Sequence, residues 1–287
     1  MPELPEVEIC VRNLQRWTHE ASIHDCKVEE PRSLKYQTPR EYRSELVGRR
    51  VCAARRIGKH ALIELEEDRL LWIHLGMSGK VVRIAGRAIP DRVTSESRKP
   101  TSEHRHVRIY WRFGTPEGHL VLALNDPRIF GRTVAGRSCE VREALHLSQL
   151  GPDALGISGD QLRVQLDGSR QAIKTALMDQ SKIAGLGNIH ASEALWHAEV
   201  APVWPCRSLK DESWSRLATG IEATFERTLN RDSSDTIHYV SEGAENYFWV
   251  YQKNDTPCPR CGAPIKKMQL GGRATYYCAH CQPTEST

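Results

Sequence analysis

The 287-residue chain has no run of about eighteen or more apolar residues, so no membrane span is expected. It also lacks the apolar core of a secretory signal near its start, where acids stand instead. The expectation is therefore a cytosolic protein. A disulfide framework is missing too. The nine cysteines are an odd number, and Cys10, Cys26, Cys52, Cys139 and Cys206 are scattered. A strong charge of one sign is absent, and the net charge of +4 with a pI near 8.6 points only weakly to nucleic acid. No internal repeat is visible. What remains is a composition of 39% apolar and 26% charged residues, that of a soluble globular protein long enough for two domains.

Up to about Val134 the chain reads mostly as short strands. "ALIELEE" and "RLLWIHLGM" are β-rich, and "HVRIYWRF" and "HLVLALND" flank "GTPEG" as a hairpin. One segment differs. In "PEVEICVRNLQRW", Val7, Val11 and Leu14 recur at helical spacing, with Pro5 and two acids in the first turn. An N-terminal helix should therefore pack beside an antiparallel sheet system. Residues 83–105 are polar and read as a mobile loop. From about Leu147 the pattern turns helical, in "SGDQLRVQLDGS", "QAIKTALMDQ", "IHASEALWHAE" and "SWSRLATGIEATFERTL". Residues 230–247 are polar and read as irregular.

The remaining cysteines, Cys258, Cys261, Cys278 and Cys281, form two C-x-x-C pairs separated by sixteen residues. That spacing suits one tetrahedral zinc ion with no open ligand position, hence a structural ion. "RATYYC" reads as a strand, so the expected module is a β-hairpin finger whose metal substitutes for a core too small to fold alone. Arg260, Lys266, Lys267 and Arg273 make this finger basic, which suits either phosphate contact or a solvated face.

Two short features carry more than one reading. "KIAGLGNIHASE" joins two helical segments through Gly185 and Gly187, with Asn188 opening the second. It reads either as a phosphate cradle at a helix N-terminus or as an ordinary helical corner with an Asn N-cap. "MPELPEVE" is explained as a helix entry by Pro5, Glu6 and Glu8, but that entry does not require Pro2 or Glu3. Removal of Met1 would give Pro2 a secondary amine with a pKa near ~8, partly free base at neutral pH. Such an amine adds to a sugar carbon and yields an iminium ion, an electron sink for elimination. Glu3 is then the adjacent acid/base group.

Taken in order, "MPELPEVE", "RIGKHALIEL", "HLGMSG", "NDPRIFG", "LGPDAL", "AIKTALMDQSKIAGLGNIHASEALW" and the finger with "GGRATYYC" resemble the Fpg (MutM) formamidopyrimidine-DNA glycosylases of the Fpg/Nei superfamily. The motifs span nearly the whole chain. The resemblance implies an α+β protein in three parts. Residues 1–135 would be a catalytic β-sandwich carrying the N-terminal helix. Residues 136–250 would be a helical domain with a helix–two-turn–helix motif, and 251–287 the zinc finger. It implies a bifunctional glycosylase and abasic-site lyase that excises oxidised purines and cuts the strand by β,δ-elimination. The partner would be double-stranded DNA with oxidised bases or abasic sites. The protein would be a monomer in the cytoplasm, on the bacterial nucleoid while acting.

The resemblance also assigns residues. Pro2 would attack the anomeric carbon and form the Schiff base, Glu3 would protonate the sugar ring oxygen, and Glu6 would support the pocket. Lys59 would contact phosphate and assist β-elimination. Asn188 and Arg273 would grip the phosphates flanking the flipped nucleotide, with Arg273 also tied to δ-elimination. His74 and Tyr251 fall on further phosphate-contacting positions, His104 and Arg170 on DNA-contacting ones. Met77, Arg128 and Phe130 would fill the gap left by the extruded base, which costs a few kcal/mol to flip out. The chain departs from the family in three places. Ile129 stands where a second basic residue is usual, residues 230–254 lack the usual Gly-Gly-Thr-type signature, and the 83–105 loop is long. The divergent 230–254 segment leaves one alternative, an endonuclease VIII-like enzyme for oxidised pyrimidines; a retained Met1, which blocks the amine, would leave another, a non-catalytic protein that binds damaged DNA.

Overall fold

The computed structural model describes residues 2–84, 105–231, 243 and 245–284. The chain divides into two compact units. Among the described residues the first holds Pro2 and 6–148; the second holds Glu3–Pro5, Gln149–Arg231 and the part from 243 onward.

The N-terminal helix forms as its periodicity requires. Helix α1 (Leu4–Trp17) buries Leu4, Val7, Val11 and Leu14 along one stripe. It ends where the Thr18 hydroxyl and amide both turn back onto the Leu14 carbonyl. In the first unit, helix α2 (Pro39–Leu46) starts at a reciprocal cap between Thr38 and Glu41.

Eight strands of the first unit build a β-sandwich. They are β1 (Ser22–Val28), β2 (Val51–Ile57), β3 (His60–Leu65), β4 (Arg69–His74), β5 (Lys80–Ile84), β6 (Val107–Thr115), β7 (Gly118–Asn125) and β8 (Arg132–Arg137). Two four-stranded antiparallel sheets result, in the orders β1-β6-β7-β5 and β2-β3-β4-β8. The expected hairpin closes with Thr115 opposite Gly118. Strand β7 buries Leu120 to Leu124 without interruption, as an inner strand covered on both faces does. A short helix, α3 (Ser138–Ala144), follows the sandwich.

The second unit is helical. It contains α4 (Gly159–Leu166), α5 (Ile173–Leu177), α6 (Asn188–His197) and α7 (Asp211–Arg231). Helix α6 is enclosed, with every residue from Asn188 to Trp196 buried. It meets α7 where a Cβ on Gly220 would stand 2.6 Å from the Ala194 carbonyl oxygen, so only glycine permits that approach. Helix α5 is shorter than the pattern over 171–180 predicts. The amides of Ile173 and Lys174 donate to the carbonyls of Trp204 and Pro202, and the helix is spent after Leu177. Strands β9 (Lys266–Leu270) and β10 (Arg273–Tyr277) pair as the expected antiparallel hairpin.

Candidate active site and nucleic-acid interface

In the first unit a rigid tip forms from two turns. Asp126 is fully buried and accepts from the Ser78 hydroxyl at 2.5 Å, the Gly131 amide at 2.6 Å and the Arg128 amide at 3.3 Å. Gly76 has φ +64°, and a Cβ there would stand 2.5 Å from the Phe130 carbonyl carbon. The turn after β4 must therefore carry glycine to lie against the turn before β8. The result presents Met77 and Phe130 at 38% and 48% exposure, unusual for large apolar side chains. Between them the Arg128 guanidinium donates to the Met77 carbonyl at 3.0 Å and lies 5.4 Å from the Phe130 ring. The three residues expected to fill a vacated base stack are thus brought together. Ile129 holds φ +58°, a costly conformation for a β-branched residue.

Lys59 occupies the two-residue turn between β2 and β3, after Gly58 at φ +53°. Beside it, His60 and His74 lie with ring centroids 5.4 Å apart, each stacked on Trp72. The Trp72 indole donates to His60 Nδ1 at 2.9 Å, and the Gly76 amide donates to His74 Nδ1 at 3.2 Å. Burial, then the charges of Lys59, Lys35 and Arg132, pushes His74 down to about 4. Burial, then His74, Lys59 and Lys35, pushes His60 down to about 3. Both rings are therefore neutral at pH 7. With its Nδ1 accepting, His74 carries its proton on Nε2, ready to donate to an anion. Pro2 and Glu6 are buried. His104 lies outside the described residues.

In the second unit Glu3 is fully buried against the start of α6. Its carboxylate accepts from the amides of Ile189 at 2.9 Å, Gly187 at 3.0 Å and His190 at 3.1 Å. These are the orphan donors of a helix N-terminus, where the dipole favours negative charge. The glycine turn is thus a cradle, but its anion is Glu3, which corrects the expectation of a free phosphate site on those amides. Both glycines are needed for it. A Cβ on Gly187 would lie 2.3 Å from the Glu3 carboxyl carbon, and one on Gly185, at φ +107°, 2.3 Å from Leu4.

Asn188 is not an N-cap. Gly187 occupies that position, and the Asn188 side chain reaches the finger instead, donating to the Ala274 carbonyl at 2.9 Å. Its Oδ1 accepts from Lys174 Nζ at 2.7 Å, which also donates to the Thr275 hydroxyl at 2.7 Å. Lys174 is fully buried, and desolvation brings its ammonium down to about 8 despite the nearby charge of Glu3. Sequence reasoning missed this residue, because "AIKTAL" reads as an amphipathic helix with an exposed lysine. A lysine between buried apolar positions was the available signal.

Tyr251 is half-buried and is placed by Glu193. That carboxylate accepts from the amides of Trp249, Val250 and Tyr251 at 2.6, 2.9 and 2.8 Å. Arg273 is exposed at the start of β10, next to the Ala274 and Thr275 groups that Lys174 holds. Arg170 is exposed after α4, and among the described residues it shares no hydrogen bond or ion pair with this cluster.

The four paired cysteines converge, with all sulfurs within 4.8 Å of one another. A tetrahedron of ~2.3 Å zinc–sulfur bonds needs sulfurs about 3.8 Å apart. The observed Cys261–Cys278 and Cys258–Cys281 separations, 3.5 and 3.9 Å, fit one structural zinc ion. The Trp196 indole donates to the Cys258 sulfur at 3.4 Å, a partner that steadies the ligand.

Three family models match the chain in order. The formamidopyrimidine-DNA glycosylase N-terminal domain covers residues 1–133, the H2TH domain of the same family 150–239, and the zinc finger found in FPG and IleRS 256–284. The formamidopyrimidine-DNA glycosylase of Methylococcus capsulatus is 35% identical over 98% of this chain and 100% of its own length. That of Xanthomonas campestris pv. campestris (strain B100) is 34% identical with the same coverage. Among solved structures, Lactococcus lactis Fpg in complex with abasic-site DNA aligns with a TM-score of 0.80 and 26% identity, covering 99% of this chain and 100% of that one. A complex of the same L. lactis protein with DNA containing an oxidised pyrimidine aligns with a TM-score of 0.79 and 27% identity, with the same coverage.

Proposed function

The chain belongs to the formamidopyrimidine-DNA glycosylase family, and from that premise we propose how its own residues carry out the family's chemistry. It is a DNA glycosylase with abasic-site lyase activity that removes oxidised purines in base excision repair. Removal of Met1 frees the Pro2 amine, which attacks the anomeric carbon of the extruded nucleotide as the damaged base departs. The Glu3 carboxylate takes the proton that the Pro2 nitrogen releases as it bonds to carbon and delivers it to the sugar ring oxygen. The ring opens and leaves an iminium ion on Pro2, a cationic Schiff base that is the electron sink driving elimination. Lys59 assists β-elimination, and Arg273 assists the δ-elimination that follows.

One observation carries this reading. The residue after Pro2 is seated by three backbone amides at the start of α6, those of Gly187, Ile189 and His190. Groups fixed by main chain keep the near-attack geometry that a free N-terminus lacks. Around the lesion, His74, Asn188, Arg273, Tyr251, Arg170 and His104 contact DNA, largely its backbone, which positions without reading sequence. Met77, Arg128 and Phe130 hold the stack open. The protein acts as a monomer in the cytoplasm, on nucleoid DNA.

Borohydride trapping on duplexes carrying 8-oxoguanine, a formamidopyrimidine, an oxidised pyrimidine or an abasic site tests the reading. Adducts with the purine lesions that disappear in Pro2→Gly support it. Adducts confined to the pyrimidine lesion and the abasic site would move the substrate class to oxidised pyrimidines. No adduct from protein shown by intact mass to lack Met1 would overturn the nucleophile.

A further inference from the structure

Arg132 opens β8, directly opposite His74 on β4. Cross-strand partners project from the same face of a sheet. Its guanidinium Nη1 donates to two carbonyls, those of Ile129 at 2.6 Å and Gly131 at 2.8 Å. Carbonyls satisfy N–H groups but do not neutralise the charge, and among the described residues no carboxylate pairs with Arg132. Lys35 lies on the same strand border. Its amide donates to the Thr133 carbonyl, and its ammonium stands 5.8 Å from the Trp72 ring, again without a carboxylate among the described residues. Several arginines elsewhere in this unit have carboxylate partners, Arg43 with Asp25, Arg50 with Glu66, Arg55 with Glu64 and Arg56 with Glu8, whereas Arg108, like Arg132, donates to carbonyls, those of Asp126 and Pro127. Uncompensated cations are thus gathered where the neutral His74 offers a donor and no charge. Ile129, in the adjoining turn, offers none either.

We propose that Arg132 is a DNA-backbone contact of this chain, binding a phosphodiester next to His74, in a field that Lys35 reinforces. The two carbonyls fix the guanidinium through one nitrogen and leave its remaining N–H groups for phosphate oxygens, which a planar fork suits. This rests on the DNA-glycosylase reading above.

The test is the salt dependence of binding, measured by fluorescence anisotropy. The probes are an undamaged duplex and one carrying a tetrahydrofuran abasic analogue. Each phosphate neutralised contributes about 0.9 to the slope of log K against log salt. Arg132→Gln keeps a donor for the two carbonyls and removes the charge. It should lower the slope by about one on both duplexes and weaken binding roughly tenfold at physiological salt. Arg132→Lys should keep the wild-type slope. A wild-type slope in Arg132→Gln overturns the proposal, and so does an equal loss of slope in Arg132→Lys, which would mark a purely structural role. Should the Gln variant fail to fold, Arg132→Met, which keeps the stem and removes the charge, takes its place with the same two outcomes. The glycosylase reading fails separately: wild-type protein would then give no preference for the abasic duplex and no borohydride adduct, while the slope on undamaged DNA would still report on Arg132.

Discussion

Glu3 and Ile189 are 186 positions apart in the chain, yet the Ile189 amide donates to the Glu3 carboxylate at 2.9 Å. With the Gly187 and His190 amides it fixes the residue that follows the proposed nucleophile.

Gly187→Ala should break that arrangement. Its methyl would stand 2.3 Å from the Glu3 carboxyl carbon, so the carboxylate must leave the helix end. Displacement of a catalytic group by about 1 Å costs about a hundredfold in rate. We expect a loss of at least that size in single-turnover excision of 8-oxoguanine, with full zinc content. Excision near the wild-type rate would show that the seat is dispensable.

Lys174→Met should separate the Asn188 turn from the finger. The buried Asn188 Oδ1 and Thr275 hydroxyl lose the donor that joins them at 2.7 Å each. Leaving such groups unpaired costs about 1–3 kcal/mol apiece. A urea midpoint lowered accordingly, with weaker binding to an abasic duplex, is the expected result. An unchanged midpoint would contradict the role assigned to the buried ammonium.

His60 and His74 make stability depend on pH. Their folded-state values, about 3 and about 4, lie below the ordinary 6.5. Below 6.5 the unfolded chain therefore takes up protons that the folded chain refuses. Stability falls as pH drops from about 6.5 towards 4, and is regained as pH rises. The loss is on the order of a few kcal/mol, at about 1.4 kcal/mol per pH unit for each ring. His60→Phe should be less stable at pH 7, because the Trp72 indole loses its acceptor, but should show a shallower decline. Urea midpoints at pH 7 and 4.5 for both proteins measure this; parallel declines would refute the assignment to His60.

Zinc removal should act on DNA binding more than on the sandwich. The finger's β9–β10 hairpin has few buried apolar side chains of its own, and structural zinc supplies folding free energy of about 10 kcal/mol in small modules. Cys278→Ser should lose zinc and weaken duplex binding while the main thermal transition persists. A zinc-free variant that binds an abasic duplex at wild-type strength would make the finger dispensable.

The sequence showed most plainly what is local. Two C-x-x-C pairs state their metal by spacing, and Val7, Val11 and Leu14 state their helix by period. The two glycines of the turn announced an unusual backbone, but not its occupant. Nothing near Asn188 says that the anion on its helix comes from the other end of the chain. Asn188 looked like an N-cap because its side chain suits that role; Gly187 holds the position, and Lys174 and Ala274 claim the amide. Lys174 was invisible because a lysine is normally exposed, and only the packing of α5 and the hairpin encloses it. The His60–Trp72–His74 stack depends on strand register, which short β-rich runs do not specify.

The buried Asp126 has a kinetic consequence. It ties the two turns that carry Met77, Arg128 and Phe130 through Ser78 and the amides of Arg128 and Gly131, so the tip is ordered by folding. Used as the proposed filler of a vacated base stack, a tip already in shape would lose little conformational entropy each time it enters one. On the proposed role of the tip, the time spent at each base pair would reflect how readily that pair yields, and weakened pairs would arrest a protein that passes quickly over sound ones.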